Sequence, residues 1–201
     1  MTGRNAWAWG LLLIWVVALP ATRRALEASM VAHMLVQIPL LVLAGALLAR
    51  CIPAKLRRGF EELDAHGVPG MLAAAFASSY WMLPRALDAA LSDPLAELAK
   101  FWSLPLLVGV PLALSWPRMG PIGRGFVLAN AISMIAVVGW LYREAPVRLC
   151  SWYLVDQQVL LGNALLALAL LAGAGCTLRA FIGPLRRYPP PQAACRMPRS
   201  T

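Results

Sequence analysis

The chain has 201 residues, 60% hydrophobic and 13% charged, with a formal net charge of +9. Soluble domains are about a quarter charged, so this composition excludes a single soluble core and points to an integral membrane protein. The basic residues sit in short segments between apolar runs, where they orient a chain in the bilayer and meet anionic lipid. No stretch resembles a DNA- or RNA-reading module, so no nucleic-acid partner is expected.

Six apolar segments follow one another: 6–21, 30–49, 68–87, 101–116, 122–141 and 158–181. Most approach the roughly 20 residues that a spanning helix needs. The expected fold is therefore all-α, a polytopic membrane helix bundle of about six transmembrane helices over 1–185. The first segment has features of a signal peptide, with Arg4, an apolar core and small residues at Ala18 and Ala21. Leu19 and Pro20 make a poor cleavage site, so it is read as a retained helix. The loop 50–67 is charged and amphipathic, which suits a short interfacial helix. Pro84 is expected to kink the third segment. The fourth is short and is expected to extend into its flanks or to sit in locally thinned bilayer. The basic, Pro-rich tail 186–201 has no apolar period and is expected to be disordered in the cytoplasm.

Loop charge sets the orientation. Arg50, Lys55, Arg57, Arg58, Arg118, Arg124 and the arginines from Arg179 onward fall on the side of the N-terminus. Fewer fall opposite: Arg23, Arg24, Arg85, Lys100, Arg143 and Arg148. Both termini are thus expected in the cytoplasm. Trp7, Trp9 and Trp116 near one interface, and Trp81, Trp102, Trp140, Trp152 and Tyr153 near the other, fit aromatic belts. Cys51, Cys150, Cys176 and Cys195 are too widely spaced for a disulfide framework and are expected as thiols, some of them buried in helices.

This topology brings three helix ends to one level. Met30, His33, Met34 and Gln37 are spaced i, i+3, i+4, i+7 and share one helical face. The third segment ends there with Met82, Arg85 and Asp88, and the sixth begins with Asp156, Gln157 and Gln158. Thioether and imidazole groups suit Cu(I), so Met30, His33, Met34 and Met82 form a candidate metal set. Gln37, Arg85, Asp88, Asp156 and Gln157 are its candidate polar surroundings. The plainer reading gives Asp156 a capping role at its helix, or a pairing with Arg85 or Arg148. It leaves Arg23, Arg24 and Glu27 in a solvated loop. The other histidine, His66, lies at the wrong end to join His33. General-base or nucleophilic chemistry has little material, and no enzyme is expected.

Three stretches resemble the CtaG-type membrane proteins associated with assembly of caa3-type cytochrome c oxidase. They are HMLVQIPLLVLAGALLA (33–49), WMLPRALDAALSDPLAELAKFWSLPLLVG (81–109) and YLVDQQVLLGN (153–163). They occur in the family's order. Met82, Glu97 and Lys100 stand where the family usually carries histidines, and the chain is shorter. The resemblance implies an assembly or copper-handling factor for a respiratory haem-copper oxidase in a bacterial inner membrane. Its partners would be membrane lipid and oxidase subunits or other membrane proteins. Two readings of other classes stand beside it: a non-catalytic accessory or scaffold subunit packing through Ala44–Ala46, Ala73–Ala75 and Gly173–Gly175, and a small-solute transporter.

Overall fold

The computed structural model describes residues 5–182, and every regular element among them is helical. The expected disordered tail, 186–201, lies outside the described residues. In chain order the helices are α1 (Ala6–Ala18), α2 (Pro20–Glu27), α3 (Met30–Cys51), α4 (Ala54–Leu63) and α5 (Val68–Trp81). They continue as α6 (Pro84–Ser92), α7 (Pro94–Arg118), α8 (Pro121–Glu144) and α9 (Val155–Ile182). Four of them, α3, α7, α8 and α9, are long and apolar enough to cross a membrane. The α1–α2 pair passes the same test as one unit bent by 69°. The chain is an all-α bundle of membrane-length helices.

Against the expected six or so spans, four helices reach spanning length, or five spans with the bent pair, and proline is the reason. The segment expected over 68–87 splits at Met82–Leu83. Leu83 is extended (φ −71°, ψ 133°) and Pro84 opens a new helix. A residue before proline is pushed out of the helical region, so Pro84 breaks the segment rather than kinking it. The 14 residues of α5 reach roughly 21 Å at about 1.5 Å per residue, short of a roughly 30 Å hydrocarbon core. The first segment ends the same way, at extended Leu19 before Pro20. The fourth segment does lengthen into its flank: α7 starts at Pro94, with the Asp93 carboxylate accepting from the Leu95 amide at 3.0 Å. The helix expected in the loop 50–67 is α4.

Two helices carry a widened π-type turn, His33–Gln37 in α3 and Leu104–Gly109 in α7. Pro39 and Pro111 each follow such a turn by two residues. Proline offers no N–H to the preceding turn, and a local widening accommodates the lost bond.

Packing depends on close backbone approach. Gly45 of α3 lies against the Pro105 backbone of α7, and a Cβ on Gly109 would stand 2.8 Å from the Gly45 Cα and closer still to the Val42 carbonyl oxygen. Across α8 and α9, a Cβ on Gly139 would stand 3.0 Å from the Gly162 carbonyl oxygen, and one on Gly162 2.8 Å from that of Gly139. Of the small-residue runs read as packing surfaces, Ala44–Ala46 serves as one. Gly173 and Gly175 do not: the first meets only an Ile132 methyl at 4.0 Å, the second nothing within 4 Å. Trp81 is also not a belt residue. It is 4% exposed in the core, and its indole donates to Ser103 at 2.8 Å.

These contacts predict that Gly109→Ala lowers the unfolding temperature in detergent, at an overpacking cost of about 1–3 kcal/mol. Gly175→Ala should leave it unchanged. Equal behaviour of the two variants in thermal melts would contradict the crossing described.

Candidate functional site

The side chains predicted to share one helical face do so. Met30, His33 and Gln37 are fully buried and Met34 is 6% exposed. Met30 and Met34 pack with Leu87, Tyr142, Cys150 and Tyr153. This end of the bundle, the His33 end, also gathers Glu27 of α2, Lys100 of α7 and the loop 145–154.

Glu27 is the hub. Its carboxylate accepts from Lys100 Nζ at 2.9 Å and from Gln37 Nε2 at 3.2 Å, and Arg23 Nε stands 3.6 Å from it. Arg23 also pairs closely with Glu97. The Lys100 side chain is 0% exposed and that of Glu27 14%. An ammonium buried within a membrane-length helix is retained only with a partner. The expectation of a solvated loop for Arg23 and Glu27 is therefore wrong. Both lie on α2, which the bend at Leu19 folds over the bundle end. Arg24 alone of the three is exposed.

Tyr153 joins this network to the histidine. Its hydroxyl donates to the Glu27 backbone carbonyl at 2.9 Å and stands 3.2 Å from His33 Nδ1. A phenol has one proton. With that proton on the Glu27 carbonyl, His33 Nδ1–H is the donor to the phenol oxygen. In the neutral ring Nε2 then carries a lone pair. Nε2 is buried and has no hydrogen-bond partner. Tyr153, expected at an interface, is instead 5% exposed, and its burial pushes the phenol pKa up. A cavity of about 470 Å³ opens beside it, with Arg24, Glu27, Trp152 and Gln157 in its wall.

The other predicted site residues divide. Met82, at the end of α5, is partly buried and its carbonyl accepts from Tyr142 at 3.4 Å, but it lies outside the cluster around Met30 and Met34. Asp88 accepts from the Ser151 amide at 2.8 Å, fixing the loop 145–154. Arg85 and Asp156 are exposed. Asp156 sits in the first turn of α9, where the helix dipole favours a carboxylate. It pairs with neither expected arginine. Arg148 donates instead to the Tyr153 carbonyl, at 3.0 Å and 3.3 Å.

The residue that organises the mouth of α9 is Gln158. It is 2% exposed, accepts from the Leu149 amide at 2.9 Å and donates to the Tyr142 carbonyl at 3.1 Å. Cys150 is buried in this loop rather than in a helix, and Cys176 is exposed on α9. Burial first, and then Asp88, push the Cys150 thiol up to about 11.

Among the described residues, no group of three or more His, Cys, Asp or Glu is placed to hold a metal ion. A metal here would rest on thioethers beside the one imidazole, a donor set that suits soft Cu(I). Fold and site together define a helical membrane protein with a buried polar and sulfur-containing cluster at one end of its bundle. Comparison with family models, curated proteins and solved structures gives no match.

Two outcomes follow. Lys100→Met should destabilise by about 3–5 kcal/mol, because it removes the nearest counter-charge of the half-buried Glu27 carboxylate. Glu27→Leu combined with Lys100→Met should recover most of that loss in thermal melts. An additive loss would mean that the pair is not coupled. Since thiolate is the reactive form of cysteine, Cys150 should escape iodoacetamide near neutral pH in the folded protein and react once the chain is unfolded, as read by peptide mass mapping.

Proposed function

We propose that the chain is a membrane assembly or copper-handling factor for a respiratory haem-copper oxidase. In this reading it resides in a bacterial inner membrane with both termini cytoplasmic, so that the His33 end faces outward. The observation that carries the proposal is the bare, buried Nε2 of His33. Its other ring nitrogen stands 3.2 Å from the Tyr153 hydroxyl, and Met30 and Met34 are buried on the same helical face. An imidazole held from its far nitrogen is the arrangement that orients a metal ligand. Copper enters here as cargo. His33 would supply nitrogen, the methionines soft sulfur, and the cavity beside Tyr153 a route from the membrane surface. The order of the three family-like stretches supports the same reading.

A scaffold role is favoured by one different observation. On α8 the buried positions are Gly139 and Tyr142 alone, while Phe126, Val137 and Trp140 are each more than 60% exposed. That surface would suit partner helices as well as lipid.

The test is copper content. Protein purified under reducing conditions and loaded with Cu(I) should retain close to stoichiometric metal. His33→Ala should lose most of it, and Tyr153→Phe should weaken retention by freeing the ring. Wild-type protein that retains no copper would overturn the metal reading and leave the scaffold. In a deletion strain, oxidase lacking copper but not its polypeptides is the expected companion result.

A further inference from the structure

The opposite end of the bundle, the Arg118 end, carries a second and larger feature. A cavity of about 810 Å³ lies between the last turns of α3 and α7, the helix α4, and Leu128 of α8. Its floor is apolar, made by Ala46, Ala49, Leu112, Ala113 and Leu128, and its rim holds Arg50, Arg57, Arg118 and Glu61. Three guanidiniums thus face one carboxylate. Glu61 is already committed: it accepts from Arg57 at 2.9 Å and pairs closely with Arg118. Its pKa lies below the usual carboxylate range, first through the Arg57 hydrogen bond and also through Arg118. Arg118 further donates to the Leu114 carbonyl at 2.7 Å and stands 3.7 Å from buried Asp64. Arg50 is exposed on this rim with no hydrogen bond or ion pair among the described residues.

The setting says what kind of molecule would lie there. The cavity opens at the end of membrane-length helices, beside an amphipathic helix whose Leu56 and Leu63 are 66% and 82% exposed. Such a helix rests in the headgroup region with its apolar side chains in the acyl boundary. A cationic rim above an apolar floor at that depth matches a phosphate headgroup above acyl chains.

We infer that this cavity is a binding site for an anionic phospholipid, with the headgroup phosphate on Arg50 and Arg57 and the chains along Leu112, Ala113 and Leu128. The inference is independent of the copper reading, since it uses the other end of the molecule.

The test uses the full chain in nanodiscs and by native mass spectrometry after mild detergent extraction. Phosphatidylglycerol should be retained and should raise the melting temperature, and phosphatidylcholine should do neither. Arg50→Gln should weaken phosphatidylglycerol binding roughly fivefold, the worth of one basic residue near an anionic membrane surface. Because Arg50 has no ion-pair partner to lose, the variant should fold. Ala113→Phe, which fills the floor, should also reduce retention. Arg143→Gln, in an exposed pair at the other end, should not. Equal retention of both lipids, unchanged binding by Arg50→Gln, or equal protection by inorganic phosphate would overturn the assignment; the last would make the rim a site for free anion.

Discussion

A lysine that is fully buried in a membrane-length helix constrains everything around it. Lys100 has no water to solvate it, so the bundle must bring it a counter-charge, and Glu27 is the carboxylate that arrives. Burial of such a pair is stable only when the remaining donors and acceptors are also met. Gln37 meets the carboxylate from α3, and Arg23 approaches it from its own helix while holding Glu97 of α7. Three helices are thus tied at one level by one charge requirement. The sharp bend at Leu19–Pro20 has its reason here: a straight helix would carry Glu27 away from Lys100.

The apolar body of the bundle does a different job. Lipid offers apolar side chains as good a contact as another helix does, so association depends on close packing and small residues. Gly45 with Gly109, and Gly139 with Gly162, let two helix pairs approach to backbone contact. The first of these crossings lies below Gln37 in α3 and below Lys100 in α7, and so sets the distance across which the charged groups meet. The widened turn Leu104–Gly109 contains the α7 half of that crossing, and the turn His33–Gln37 lies earlier in α3. In α3 the widened turn carries the buried His33 and Gln37, and in α7 it carries the Pro105 and Gly109 backbone that meets α3.

Much of this was legible in the sequence, and the failures have physical causes. Periodicity placed Met30, His33, Met34 and Gln37 on one face because a widened turn of five residues does not carry His33 and Gln37 to opposite sides. Topology brought Asp88 and the mouth of α9 to the same end. What it could not give was partner choice. Glu27 read as solvated because charge near a predicted helix end usually is. The signal against that reading was Lys100 inside a helix that had to lengthen into its flank, since an ammonium there demands a carboxylate. Asp156 and Gln158 stand two positions apart in the first turn of α9. The residue at the second place of α9 points outward, and the amide two residues on turns in to close the loop 145–154. Pro84 was recognised, but its effect depends on Leu83, whose backbone cannot stay helical beside it.

The two ends of the molecule finish as opposites. At the His33 end, the charged groups of Arg23, Glu27, Glu97 and Lys100 pair with one another, and the buried polar atoms without a hydrogen-bond partner are His33 Nε2, Gln37 Oε1, Asp88 Oδ1 and Arg23 Nε. The first three are acceptors, and Arg23 Nε is a donor that stands 3.6 Å from the Glu27 carboxylate. At the Arg118 end, internal pairing uses Glu61 and Asp64 and still leaves Arg50 without a counter-charge, over an apolar floor. In the proposed lipid reading, that arginine meets the headgroup phosphate and the floor meets the acyl chains. In the two readings proposed above, the bundle binds a soft metal at one end and an anionic lipid at the other. The closely crossed α3 and α7, which contribute residues to both, hold the two chemistries apart by the length of a spanning helix.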